Sequence, residues 1–279
     1  MKKHISNIVF VLLFLIGLSL LLYPTVSNYI NSEHSSRVIS LYDSTLGEVS
    51  NSETAEWMRQ AESYNDTLTN TPSAFYNPSL ISGYYDTLDI TGTGIMGYIE
   101  IEKLNVKLPI YHGSSDVVMQ VGVGHIEGTS LPVGGVSTHC VLTAHNGLPS
   151  SRLFTDLEQM EIGDTFEITV LDRILTYEVD QINVVYPDEY EDLLIETDRD
   201  FCTLLTCVPY GINTHRLLVR GVRVSNPEQE LMAYVSNEAL RVDVIVVASV
   251  LALPFLILLY FAALLSYRKQ NKRQKHRPL

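Results

Sequence analysis

The feature that most constrains this chain is a pair of uncharged apolar runs, 5–23 and 244–267, one near each end of its 279 residues. As helices rising 1.5 Å per residue they would extend about 28 and 36 Å, against a bilayer hydrocarbon core of about 30 Å. Both runs predict membrane-spanning helices, and Pro254 inside the second is tolerated in lipid. Lys2 and Lys3 precede the first run; Arg268, Lys269, Lys272, Arg273, Lys275 and Arg277 follow the second. The positive-inside rule then predicts a two-span protein with both termini cytoplasmic and everything between them outside the cell. A cleaved signal peptide is the alternative for 1–23, but its apolar core exceeds the usual length and no clear A-x-A site follows.

Charge divides along the same lines. Of 19 Lys and Arg, eight lie on the terminal sides of the two runs and 11 between them, whereas all 32 acidic residues lie between 24 and 243, giving that interval a net charge of −21. So acidic a domain argues against nucleic acid as a partner, while the basic tail suits anionic lipid headgroups. The three cysteines, Cys140, Cys202 and Cys207, leave at least one free thiol in an exported protein. Cys202 and Cys207 are five apart, on opposite faces of a continuous strand, so a disulfide between them is not expected. No Cys/His cluster has zinc-ligand spacing and no Gly-rich phosphate loop occurs, so neither metal nor cofactor is expected.

Between the runs the texture changes at about residue 94. In 24–93, Ser50-x-x-Glu53 has the form of a capping box, and Trp57, Ala61, Tyr64 and Leu68 follow at helical spacing. Prolines and glycines then break any periodicity from 65 to 94, which reads as a loop or flap. Short apolar or alternating runs follow at 97–101, 107–111, 140–143, 166–170, 177–185, 201–207 and 216–224, predicting a mainly β barrel or sandwich. The stretch 150–160 is a candidate helix between two strands. The expected layout is an anchor at 1–23, a helical and loop pre-domain at 24–93 and a β domain at 94–226. A linker at 227–243, a second span at 244–267 and a basic cytoplasmic tail at 268–279 complete it.

One strand carries chemistry. Thr203-Leu204-Leu205-Thr206-Cys207 ends in a thiol, a turn follows, and Thr214-His215-Arg216 opens the next strand. A hairpin return brings Arg216 back towards Cys207, where a guanidinium favours thiolate and can stabilise an oxyanion. Taken alone, a cysteine at a strand end is more often a small buried hydrophobe. His145 opens an Asn-Gly turn after 140–143, but His125 and His112 also sit beside glycines, and the residues alone do not choose among them.

Thr-Leu-Leu-Thr-Cys resembles the TLxTC signature of sortases, with Arg216 in the place of their essential arginine. The segment Leu142-Thr143-Ala144-His145-Asn146-Gly147 is similar to the one bearing their catalytic histidine. Strings such as Gly94-Ile95-Met96-Gly97-Tyr98-Ile99 and Leu108-Pro109-Ile110-Tyr111-His112-Gly113 extend the likeness over 94–224, most closely to class C, the pilin polymerases. The resemblance implies a closed β-barrel with short helices, and an extracellular cysteine transpeptidase in the cell membrane. Cys207 would be its nucleophile, His145 its general acid and Arg216 its oxyanion donor, with Thr206 helping to bind substrate. It implies pilin partners bearing LPXTG-like sorting signals and a lysine amine as acceptor. A sortase of another class acting on peptidoglycan precursors, or a catalytically silent scaffold, are the rival readings. One departure stands out. Many class C lids carry Asp-Pro followed by an aromatic, whereas the flap here has Thr71-Pro72-Ser73 and Asn77-Pro78-Ser79. Without a carboxylate for Arg216, a loosely held or open flap is expected, with Phe75, Tyr76 or Tyr84 as steric substitutes.

Overall fold

The computed structural model describes residues 2–225 and 260. The linker, the second span and the basic tail lie outside the described residues, Tyr260 apart. Contacts divide the chain into a smaller unit that includes residues 1–26 and a larger one, Ser27–Met232.

The first helix, α1 (Lys2–Glu48), contains the first apolar run and passes through Pro24. Among the described residues it is the one helix long and apolar enough to cross a membrane, and Phe10, Leu20 and Leu21 in its first half are exposed. The anchor and the helical pre-domain were expected to divide at residue 23; the helix instead runs unbroken through that point to Glu48. The reason lies in the larger unit, where Ser35, Ile39 and Tyr42 are buried at helical spacing. Tyr42 donates its hydroxyl to Met96 O at 3.0 Å, accepts from Leu171 N at 2.8 Å, and meets the Tyr98 ring edge-on. Two buried apolar or aromatic anchors, Ile39 and Tyr42, diluted by Ser, Asp and Arg are too sparse a stripe to read without the surface they meet.

Helix α2 (Asn51–Thr69) starts at the capping box, with both reciprocal bonds between Ser50 and Glu53 formed. Such a cap stabilises the helix by about 1 kcal/mol. The anticipated stripe is present: Ala61, Tyr64 and Leu68 are buried with Met58, and Trp57 is half-buried, all in the main core. The flap that follows is a series of short 3-10 turns, Pro72–Phe75, Pro78–Leu80 and Tyr84–Asp86.

Eight strands form the β domain: β1 (Ile95–Ile101), β2 (Val106–His112), β3 (Val123–His125), β4 (Thr138–Thr143), β5 (Thr165–Val170), β6 (Arg173–Val185), β7 (Asp200–Val208) and β8 (His215–Arg223). They close into a barrel in the order β1-β2-β3-β4-β7-β8-β6-β5. Pairing is antiparallel except for β2 with β3 and β4 with β7, which are parallel. Closure removes the exposed edges that an open sheet would present. Seven strands fall on the runs read from the sequence. The eighth, β3, has three residues, too few to alternate, and Gly124 lets it lie close: a Cβ there would stand 2.6 Å from Gly113 O. A short helix α3 (Asp116–Val121) precedes it.

The helix expected over 150–160 is not formed. Leu153, Phe154, Leu157 and Met160 are buried there, but from a turn and a single 3-10 turn at Leu157–Gln159. Leu153 takes a positive φ of 42°, so these apolar residues reach the core from a compact loop.

Candidate active site

Strand alternation sorts the β7 side chains. Cys202 and Leu204 are fully buried and Thr206 is 1% exposed, while Leu205 and Cys207 lie on the other face and are half-buried. Cys207 is thus presented outward at the strand end, and Arg216 is its direct partner on β8. The Arg216 guanidinium donates to Asn213 O at 3.2 Å and His215 O at 3.0 Å, holding the β7–β8 turn. Asn213, with φ at 61°, donates its backbone N–H to Pro209 O at 3.0 Å. Cys140 and Cys202, expected as buried fillers, are buried and face each other across β4 and β7. Burial holds the Cys202 thiol well above the usual range, so it stays protonated.

The histidines separate by their partners. His112 is buried with Nδ1 3.0 Å from Gly94 O and Nε2 2.8 Å from Thr87 O. His125 donates Nε2–H to Ser130 O and accepts the Tyr84 hydroxyl at Nδ1, both at 2.8 Å. His139 donates Nδ1–H to Leu194 O at 2.9 Å and faces the Thr203 hydroxyl through Nε2 at 2.7 Å. Each is committed to internal structure. His145 is half-buried, and neither of its ring nitrogens has a partner among the described residues. It follows β4, whose parallel ladder with β7 ends at Thr143 and Leu205, so it emerges beside the end of the strand that carries Cys207.

Thr206, expected to contact substrate, is turned inward instead: its hydroxyl donates to Ala144 O at 2.8 Å. The residue next to an outward nucleophile must face the barrel interior, and there it ties β7 to the chain leading to His145. Four further residues at the site were given no role from the sequence. Asn146 donates Nδ2–H to Cys207 O at 2.9 Å. Tyr210 packs on Gly147, where a Cβ would lie 2.8 Å from its ring. Asn28 accepts from Arg152 N and Asn31 donates to Ser150 O, so α1 grips the loop after His145.

The flap lies on the same outer face. Phe75 packs with Val141, Leu193, Leu205 and Leu218; Leu205 and Leu218 are cross-strand partners two residues along from Cys207 and Arg216. Its ring meets Tyr76 at 5.2 Å and Tyr190 of the β6–β7 loop at 5.9 Å. Ala74 is fully buried, and only glycine fits at 128, where a Cβ would stand 2.6 Å from Ala74 O. No flap carboxylate pairs with Arg216 among the described residues, as expected from Asn77. The flap is nonetheless seated, by aromatic and apolar contact in place of charge.

With this geometry in hand, the chain matches a model of the sortase domain over residues 99–224. It is 44% identical to the crystal structure of sortase C1 from Streptococcus agalactiae, covering 68% of this chain and 99% of that one with a TM-score of 0.63. Sortase C from Clostridium perfringens, solved with the C-terminal cell wall sorting motif, is 43% identical over 68% of this chain and all of that one, with a TM-score of 0.60. Among curated proteins, sortase D of Bacillus subtilis is 26% identical over 132 residues, 46% of this chain and 64% of that protein. The chain therefore spans less than two thirds of that relative's length. A likeness of this strength over nearly the whole of solved class C chains places the protein in class C of the sortases, a family of cysteine transpeptidases.

Proposed function

We propose that the protein is a pilin-polymerising transpeptidase that cleaves an LPXTG-like sorting signal and joins the released acyl group to a lysine amine of another pilin. The observation that carries this reading is the Cys207–Arg216 rung at the turn end of β7 and β8, with His145 leaving the neighbouring parallel strand. The Cys207 sulfur attacks the Thr–Gly carbonyl carbon, and Arg216 donates to the oxygen that gains charge. As the C–N bond breaks, the His145 imidazolium gives its proton to the departing glycine amine. The lysine amine then attacks the thioester, returns a proton to His145 and expels the Cys207 thiolate. The energy of the amide is kept in the thioester, so the exchange needs no nucleotide.

The apolar first half of α1 and the run at 244–267 serve as two membrane anchors, with the barrel outside the cell and both termini inside. Confinement to the membrane raises the enzyme's effective concentration towards pilin precursors held in the same plane. The test incubates full-length protein with an LPXTG-type peptide and a lysine-bearing acceptor, and follows the intact mass of the enzyme. A thioacyl adduct on Cys207 and a new isopeptide product are expected. Neither adduct nor cleavage at any pH from 6 to 9 would sink the reading.

A further inference from the structure

The parallel ladder that aligns the two reacting strands stops before it reaches them. Thr143 and Leu205 are the last paired residues of β4 and β7, and Ala144 N donates to Leu205 O at 3.3 Å. Beyond that point no backbone bond joins the two chains among the described residues, yet His145 and Cys207 both lie beyond it. Two side chains continue the ladder in its place. The Thr206 hydroxyl bonds Ala144 O, and one step further the Asn146 amide bonds the carbonyl of Cys207 itself.

Asn146 is 7% exposed, and its Oδ1 is buried without a hydrogen-bond partner. An amide whose oxygen is left unsatisfied in the interior is a poor choice for packing alone, because an apolar side chain of the same size avoids the desolvation cost. We propose that Asn146 is a positioning residue, whose Nδ2–H bond to Cys207 O fixes the separation and orientation of His145 relative to the nucleophile. The inference rests on His145 and Cys207 being the reacting pair. Asn146 adjoins one in sequence and is bonded to the other, so no shorter link between them is available. Strand ends fray where the ladder stops, and a misplacement of about 1 Å at a reacting pair costs roughly 100-fold in rate.

The test uses the full-length protein with Asn146→Leu, which keeps the branched shape but removes both the donor and the orphaned acceptor, and Asn146→Gln, which keeps an amide donor. Two readouts are taken: kcat and KM for an LPXTG-type peptide with a lysine acceptor, and the pH dependence of Cys207 alkylation by iodoacetamide, with the adduct located by mass spectrometry. For Asn146→Leu, kcat should fall roughly 10–100-fold with KM little changed, and the pH midpoint of alkylation should move because the imidazole no longer sits at a set distance from the thiol. Asn146→Gln should recover part of kcat and return the midpoint towards wild type. An unchanged alkylation profile in Asn146→Leu overturns the proposal, whether or not kcat falls, since a loss of stability alone would lower activity without moving that midpoint. If the wild-type enzyme does not process the peptide, the transpeptidase reading fails, and the alkylation midpoint still decides for or against Asn146.

Discussion

Cys207 and Arg216 are direct cross-strand partners on β7 and β8, nine positions apart in the chain and joined by the turn that Arg216 itself grips through Asn213 O and His215 O. One residue thus braces the loop flanking the thiol and stands ready beside it. Cys140 and Cys202, by contrast, face each other inside the barrel where no substrate reaches. Cys207→Ala is expected to abolish both thioacyl adduct and isopeptide product. Cys140→Ala and Cys202→Ala should retain turnover while lowering the melting temperature, as buried truncations do. Pilin joining by Cys207→Ala near the wild-type rate would refute the assignment.

The two loop carbonyls on the Arg216 guanidinium distinguish arginine from a point charge. Arg216→Lys keeps the charge but loses the planar set of donors that can hold a carbonyl and an oxyanion together. A fall in kcat of about 10²–10³, the usual cost of one oxyanion donor, is expected. Steady-state kinetics showing near-full turnover in Arg216→Lys would reduce the arginine to a brace.

The flap is seated by Phe75 and Tyr76 against Tyr190, so its closure depends on aromatic contact. Each such contact contributes about 0.5–1.5 kcal/mol beyond area burial. Phe75→Ala and Tyr190→Ala should each speed alkylation of Cys207, up to roughly 10-fold. Point variants are the right probe because α1 and α2 supply Tyr42, Ala61 and Leu68 to the interior, and deleting 31–90 would open the core. Equal alkylation rates in both variants and wild type would show that the seated flap does not limit access to the thiol.

His139 links the β6–β7 loop to the barrel through Leu194 O and Thr203, and burial lowers its pKa below the ordinary value, with the bond to Leu194 opposing. A base with a depressed folded-state pKa contributes stability that is whole above its unfolded value, about 6.5. That stability is lost as pH falls through 6.5 towards the folded value, by at most about 1.4 kcal/mol per pH unit for one proton. Between pH 7.5 and 5.5 the melting temperature of wild type should therefore drop more than that of His139→Gln. Burial raises the Asp200 carboxyl, which acts in the opposite direction but equally in both proteins, so it cancels in the comparison. Parallel losses in the two proteins would remove His139 from the account.

The proposed two-span topology, with both basic flanks on the cytoplasmic side, is open to a direct test. Reporter fusions at both termini should be cytoplasmic, and a tag inserted at the exposed turn at Gly163 should be labelled from outside intact cells. A mature protein lacking residues 1–23 on N-terminal sequencing would instead mean that the first apolar run is a cleaved signal.

Seven of the eight strands, the capped helix α2 and the Cys207–Arg216 hairpin were legible in the sequence, because each is written in local periodicity: alternation at two, a stripe at three and four, a turn between two runs. The apolar first run likewise declares itself by length. Tertiary structure adds what local pattern leaves open. By residue type His145, His125, His112 and His139 are equivalent; the likeness of 142–147 to sortases singles out His145, and the fold occupies the rings of the other three and leaves that of His145 without a partner among the described residues. Thr206 was expected to meet substrate, but one step of pleat separates it from Cys207 and turns it into the barrel. The helix continues from 24 to 48 because Ile39 and Tyr42 find partners in Ile95 and Tyr98, which lie more than fifty residues away. Local pattern specifies how a segment repeats; which group is buried, bonded or left available depends on what arrives from elsewhere in the chain.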